Sequence, residues 1–401
     1  MTGPLHGVKV VELAQIMAGP TCGLMLADLG ADVIKVEKLP GGDDTRTYQD
    51  PLVNGEPAAF MILNRNKRSM AVDLKTPGGL EVVRRLLAGA DVLIENYRKG
   101  ALDRLGLGYD AVSQLNPRLV YCAVSGYGRT GPYADKGGFD LIAQGFAGIM
   151  SITGEPGGPP AKSGTSIADI NAGILAALGI VSALLARATT GRGQLVETSL
   201  MEAAVQQTYW QAAMFFATGI NAGPTGSAHV LTAPYQAFAT LDGWINIGGA
   251  NQANWERIAR VIGRPELVTD PRFQTNAARM RHRDELVALI GGSLRTRPSA
   301  DWIRAFEAEG VPVGPVNRIG DMLADPQVAA REMVFEVDHP RAGRTRALGM
   351  PIKFSDARAD MTRPAPLLGQ HSREVLDQLG YSAVEIDALQ RAGAVLIGPP
   401  G

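Results

Sequence analysis

Short apolar runs separated by helix-length stretches open the chain. Val8 to Leu13 and Asp32 to Glu37 read as strands, and the segment between them reads as a loop at Ala18-Gly19-Pro20, a helix to Leu29 and a stop at Gly30. That is a β-α-β unit of about 30 residues. The alternation continues, with a strand over Ser69 to Leu74, a helix from Pro77 to near Gly89, and strands over Asp91 to Glu95 and Leu119 to Ser125. Strands alternating with helices imply a mostly parallel sheet covered on both faces, an α/β fold. Such sheets bind ligands at the carboxyl ends of their strands, here the loops at Gln15 to Pro20, Lys38, Asn96 to Arg98 and Gly126 to Gly128.

From Ala172 to Ala186 the run AGILAALGIVSALLA has no charge and one serine, so it predicts a helix that is apolar nearly all round and lies inside the protein. Asp169 stands directly before it, where interior meets cleft. The loop ahead of it carries Gly154, Gly157, Gly158, Pro159, Pro160 and Gly164, a composition suited to wrapping a ligand. A helix around Glu197 to Gly219 leads to a Gly/Pro-rich break, Ile220 to Ala228, which reads as a linker. Beyond it, Trp244 to Ile247 predicts a strand and Gly248-Gly249 a turn into a helix from about Ala253. Helical patterns recur at Arg283 to Leu294 and Ser299 to Glu309, so this stretch reads as a smaller α+β domain. Leu348 to Phe354 then reads as a strand and Arg373 to Leu379 as part of a helix.

Length and charge narrow the function classes. A chain of 401 residues exceeds one hydrophobic core, so two domains are expected. Basic and acidic side chains number 39 and 40, and neither nucleic acid nor an anionic membrane is an expected partner. Cys22 and Cys122, with His6, His229, His282, His339 and His371, make no metal-ligand spacing or disulfide framework. The opening MTGPLHGVKVVEL lacks a signal-peptide pattern, and the 15-residue apolar run falls short of the ~20 that span a bilayer, so a cytoplasmic protein is expected.

The β-α-β opening has Gly19 and Gly23 but no G-x-G-x-x-G, and no G-x-x-x-x-G-K-[ST] occurs. Phosphate binding, if present, falls to side chains such as Lys67-Arg68, Lys75, Arg98-Lys99 and Arg104, which equally suit a solvated face. Asp169 has two readings of equal weight: a helix N-cap, or a nucleophile toward an activated acyl group. The Gly248-Gly249 N–H groups would then steady an oxyanion, although an ordinary strand-to-helix connection accounts for the same residues. Ser125 lacks the G-x-S-x-G setting of a hydrolase nucleophile, and His371 reads as structural.

Several motifs in order, AGPTCGLMLADLGADVIKVE (18–37), NKRSMAVDLKTPGG (66–79), ADVLIENYRKGALDRLGLGY (90–109), SGYGRTGPYADKGGFD (125–140), TGRGQ (190–194) and GVPVGPVN (310–317), make the chain resemble the class III CoA-transferases nearly end to end. The resemblance implies Asp169 as the nucleophile and Asp140 as a supporting acid. It implies CoA contacts at Gln15 to Ala18, Lys38, Val72, Asp73, Leu74, Lys75, Asn96, Tyr97, Arg98, Arg104, and at Gly137, Gly138 and Phe139 leading to Asp140. It also implies a large Rossmann-like domain built from 1–220 and 326–401, a small domain at 221–325, and two chains interlocked as a homodimer. The substrates would be an acyl-CoA donor and a carboxylic acid acceptor, with neither metal nor redox cofactor. Related 2-methylacyl-CoA racemases carry a histidine where this chain has Phe139, which disfavours that alternative; a non-catalytic CoA-binding protein is the third reading. GGANQ is shorter than the glycine-rich loop of formyl-CoA transferase, which favours a dicarboxylate such as succinate over oxalate or formyl-CoA.

Overall fold

A computed structural model describes residues 3–357, 361 and 363–399. Two compact units emerge, one of residues up to Met150, Lys162–Ile220 and from Gln327 onward, the other of Ser151–Ala161 and Asn221–Pro326. The second unit thus includes an eleven-residue excursion, 151–161, that the sequence reading left in the large domain, tied in where Gly226 N donates to Gly154 O (2.9 Å).

The large unit holds a seven-stranded sheet in the order Val395–Leu396, Lys67–Val72, Asp32–Lys38, Lys9–Leu13, Val92–Glu95, Val120–Ser125, Leu195–Ser199. All neighbours are parallel except the edge strand Val395–Leu396, which runs antiparallel to Lys67–Val72. The chain starts in the middle, builds outward one way, then crosses back to place Val92–Glu95 on the other side of Lys9–Leu13. That reversal is the switch point at which such sheets open a crevice. Side chains alternate between two cores, as a period of two demands. Val10, Val33, Ile94 and Val124 pack under helices Ala18–Asp28 and Ile167–Thr190, while Val11, Ile34, Met70 and Leu93 pack under Pro77–Ala88 and the C-terminal helices.

Helix Ile167–Thr190 corrects one expectation. It is 24 residues long and apolar enough by composition to cross a membrane, yet its buried side is made of small residues, Ala168, Ala172, Gly173, Ala176, Ala177 and Ala183, with Ile180 the one large side chain among them. Small side chains let it lie against Ala18–Asp28; a Cβ on Gly173 would stand 2.6 Å from Ala18 O. Its large residues Ile170, Ile174, Leu178, Val181 and Leu185 form an open apolar stripe. The helix is not enclosed all round.

Two other elements differ. Glu197 belongs to strand Leu195–Ser199, rich in β-branched residues and paired with Tyr121–Ser125, before helices Leu200–Gln206 and Tyr209–Thr218 begin. Leu348 ends a hairpin, Val334–His339 with Gly343–Leu348, rather than starting a strand to Phe354, and Pro351 brings no N–H to a ladder there. The smaller unit is α+β as expected. An antiparallel sheet of Tyr235–Ala239, Trp244–Gly248 and Val313–Pro315 packs with helices such as Gln252–Val261 and Ser299–Ala308 around Trp255, Phe273, Trp302 and Phe306.

Candidate active site

The crevice opens where Lys9–Leu13 and Val92–Glu95 end. Gln15 N donates to Asn96 Oδ1 (3.0 Å) and Asn96 Nδ2 donates to Gln15 O (2.8 Å), so a reciprocal clasp joins the two loops at the switch point. Lys38, at the end of its strand, reaches Gln15 Oε1 (3.1 Å) and is bridged to Asp44. The Arg98 guanidinium lies beside Gly137, within 3.5 Å of where a Cβ would stand, and Gly138 meets Gly126 so closely that a Cβ on either would fall 2.7 Å from the other's backbone. Lys75 and Arg104 are exposed, with Lys75 one residue before the Thr76 cap of helix Pro77–Ala88. The loops predicted from strand ends therefore converge on one edge.

Helix Ile167–Thr190 leads into the parallel strand Leu195–Ser199, so it runs against the strands and its N-terminus lies at that same carboxyl edge. Asp169 is the third residue inside this helix, not the residue before it, and does not cap it. The cap comes from another helix: Asp140 Oδ1 accepts from Ala168 N (2.9 Å) and Asp169 N (3.4 Å), while Ser166, at the N-cap position, makes no side-chain cap. Among the described residues the Asp169 carboxylate accepts no hydrogen bond. Burial first, and the Asp140 charge second, push its pKa up to about 6. The result is a half-buried, unliganded carboxylate that is mostly ionised at neutral pH, a combination suited to nucleophilic attack.

Other predicted residues fall less simply. Ala18 and Val72 are buried, and Val72 pairs with Lys38 on one side and Val395 on the other, which makes both supports for the crevice rather than its surface. Asp73 Oδ1 accepts from Lys75 N (2.9 Å) and shapes that turn, with Leu74 half-buried beside it. The Tyr97 ring packs inward against the core, whereas Phe139 is 69% exposed. In the smaller unit, Gly248 N donates to Pro312 O and Gly249 N to Pro234 O, both at 2.8 Å. Those N–H groups are engaged, so the oxyanion role expected of them is not open in this conformation. Gly249 is nonetheless obligatory, since a Cβ would lie 2.2 Å from Pro234 O.

The sequence matches the family model CoA-transferase family III over residues 5–372. The chain belongs to CoA-transferase family III. This transferase is 37% identical to succinyl-CoA:glutarate CoA-transferase of Mus musculus over 98% of its own length and 90% of that enzyme's, and 40% identical to succinate–glutarate CoA-transferase of Agrobacterium fabrum over 94% and 96%. Its fold matches the crystal structure of a CAIB/BAIF family protein from Brucella suis at a TM-score of 0.85, with 42% identity over 94% of this chain and all of that one. Among the described residues of the transferase no cluster of three or more metal-ligating side chains occurs.

Sequence reasoning missed the charged layer under the crevice. Lys35 Nζ meets Glu12 Oε1 and Asp43 Oδ2, each at 2.8 Å, and Lys67 Nζ meets Glu12 Oε2 at 2.9 Å, all without solvent exposure. Burial brings Lys67 down to about 8, whereas for Lys35 burial is outweighed by Glu12 and Asp43, which hold its proton more tightly than usual. Asp43 also accepts from Ile16 N (3.1 Å), and Ile16 sits at φ 70, a left-handed conformation that costs a β-branched residue on the order of 1–3 kcal/mol. The signal was a Glu and a Lys inside otherwise apolar strands, at paired positions in the ladder. A second missed contact, Glu95 with Arg129, closes the end of Val92–Glu95, and Glu95 Oε2 accepts from Tyr97 N (2.8 Å).

Proposed function

We propose that this enzyme transfers CoA from an acyl-CoA to a carboxylic acid through covalent chemistry at Asp169, with succinyl-CoA as donor and a second dicarboxylate as acceptor. The carrying observation is the free, half-buried Asp169 carboxylate at the crevice edge, its helix capped by Asp140 instead. A carboxylate oxygen of Asp169 attacks the thioester carbonyl and expels CoA thiolate, leaving a mixed anhydride. The thiolate attacks the aspartyl carbonyl, releases the donor acid as its carboxylate and forms an aspartyl-CoA thioester. An acceptor carboxylate repeats both steps in reverse order, so Asp169 returns as a carboxylate and the new acyl-CoA leaves. One thioester is exchanged for another, and no external energy source is needed.

The names of the two glutarate-using relatives support dicarboxylates as the substrate class. The basic side chains Lys38, Lys75, Arg98 and Arg104 around the crevice suit CoA phosphates. The open stripe Ile170 to Leu185, and helix Tyr209–Thr218 with Trp210 and Phe216 outward and no buried residue, suit a second copy of this chain. Sedimentation at micromolar concentration tests the dimer, and a monomer would remove it.

Peptide mapping by mass spectrometry after incubation with succinyl-CoA, glutaryl-CoA or oxalyl-CoA, with hydroxylamine or borohydride trapping, tests the chemistry. Modification of the Asp169 peptide is the expected outcome, and the thioester that labels best identifies the donor. No modification with any thioester, together with exchange of the α-proton of a 2-methylacyl-CoA, would replace transfer by racemisation.

A further inference from the structure

The carboxylate that caps the nucleophile's helix is itself held by a buried amide. Gln144 lies one turn after Asp140 on helix Asp140–Phe146 and has no solvent exposure. Its Nε2 donates to Asp140 Oδ2 (2.6 Å) and lies 3.4 Å from Thr165 O, while its Oε1 accepts from Ser163 N (2.9 Å). One side chain thus joins the capping carboxylate to the two residues by which the chain enters helix Ile167–Thr190. Burying an amide is unfavourable unless both its ends are bonded, and here both are. Packing alone would be met by a methionine of similar size.

The arrangement matters because a helix N-terminus has N–H groups that capture any acceptor within reach. Ser166 at the N-cap and Asp169, the third residue of the helix, are the alternative acceptors, and of the two only Asp169 carries the charge that a helix N-terminus favours. With Asp140 seated, the N–H groups of Ala168 and Asp169 are met and the Asp169 carboxylate stays free. With Asp140 unseated, Asp169 folds back onto them, and a carboxylate accepting two N–H bonds is less basic and turned from the crevice.

We propose that Gln144 is a positioning residue for the transfer reaction, holding Asp140 on the helix so that Asp169 remains available to the thioester. This rests on Asp169 being the nucleophile. The titratable groups around the pair are Asp169 itself, Glu202 on the adjoining helix Leu200–Gln206, held by Ser199 Oγ (2.6 Å), and Lys162, whose Nζ donates to Ser163 O (3.1 Å).

Full-length Gln144→Met and Gln144→Glu test it, assayed for kcat, for KM of the acyl-CoA and for the pH profile. Gln144→Met removes all three bonds at nearly constant volume and is expected to lower kcat about 10- to 100-fold with KM little changed, and to move the acid limb to lower pH. Gln144→Glu keeps the acceptor toward Ser163. Its ionised carboxylate repels Asp140, whereas its protonated form donates to Asp140 as the amide did. Its activity is therefore expected to rise as pH falls toward the acid limb, over a range above about pH 6 where the wild type is flat. Wild-type kcat and profile in both variants, with only a lower Tm, would reduce Gln144 to a structural brace and overturn the proposal. If Gln144→Met does not fold, the pH dependence of Gln144→Glu decides alone. Failure of the underlying reading shows separately, as a wild-type enzyme that yields no trapped Asp169 peptide.

Discussion

Two helices of this protein begin with the same local pattern and leave their acids in opposite electrostatic states. Helix Ala383–Arg391 starts S-A-V-E and helix Ile167–Thr190 starts S-I-A-D, each with serine at the N-cap and an acid at the third helical position. In the first, Ser382 caps Glu385 N (3.4 Å) and Glu385 Oε2 accepts from Ser382 N and Oγ, both at 2.7 Å, a complete capping box. Those bonds, with the backbone N–H foremost, hold Glu385 below the usual glutamate range. In the second, Asp140 supplies the cap from outside, Ser166 and Asp169 are left unused, and burial raises Asp169 to about 6. Whether an acid at a helix start becomes a cap or stays an unbonded carboxylate is decided here by a third residue 29 positions away in sequence.

Breaking each end separately tests this contrast. The largest effect is expected from Asp169→Asn, which should lower transfer by 10³-fold or more in a succinyl-CoA:glutarate exchange assay. The same substitution should stabilise the fold. A carboxyl whose pKa is raised on folding from 3.8 to about 6 destabilises the native state fully above pH 6 and not at all below about pH 4. Thermal unfolding of Asp169→Asn should therefore show a gain of up to about 3 kcal/mol at pH 7.5 that largely vanishes by pH 4; a constant gain would mean its burial does not set its pKa.

Asp140→Ala should cost about 100-fold in kcat by uncovering the helix N–H groups, whereas Asp140→Asn keeps an oxygen for Ala168 N and should cost less. In wild type the acid limb of kcat/KM should fall as pH drops through about 6, because protonated Asp169 cannot attack. Asp140→Asn removes the like charge and should move that limb to lower pH; an unmoved limb would sever the link between the two acids. Gly173→Ala pushes a methyl to within 2.6 Å of Ala18 O and should destabilise by about 1–3 kcal/mol in urea titration, with activity reduced through tilt of the helix. The smallest effects fall on the serines. Ser382→Ala should lose about 1 kcal/mol with activity unchanged, and Ser166→Ala should lose almost no stability; equal losses would erase the distinction between the two helix starts.

Much of the scaffold was legible because it depends on local rules. Val10, Val33 and Val92 alternate with residues of the opposite face, Pro77 and Gly30 punctuate helices, and Arg283–Leu294 fell within its predicted bounds. The loops at Gln15, Lys38 and Asn96 followed from strand ends alone. What stayed hidden depends on pairs distant in sequence. The Gln15–Asn96 clasp spans 81 positions, Asp140 reaches its cap across 28, and the pairing of Glu12 with Lys35 needs the register of two strands. Gly248 and Gly249 looked like free donors because the carbonyls that engage them, Pro312 and Pro234, come from elsewhere in the smaller unit. The open side of Ile167–Thr190 was misjudged because composition reports how apolar a helix is and not how many neighbours it has.

The far end of the chain finishes what the near end begins. Ser372–Gln378 and Ala383–Arg391 supply Val375, Leu376 and Ile386 to one core, Val395–Leu396 covers the edge of Lys67–Val72, and Arg68 binds Asp32, Glu374 and Gln378 together. His371 Nδ1 accepts from Ser69 N (3.2 Å), with burial pressing its pKa down to about 4, so this histidine serves as a neutral stitch. During synthesis, residues 67–72 therefore emerge some 300 residues before the segment that shields them. At ~5–20 residues per second that interval lasts tens of seconds, a period in which a bare parallel-sheet edge is open to wrong pairing. Docking of this edge thus waits until residues 372–396 have been made, and premature stops near residue 370 should yield aggregates, read as insoluble protein on fractionation, rather than a shortened but active protein.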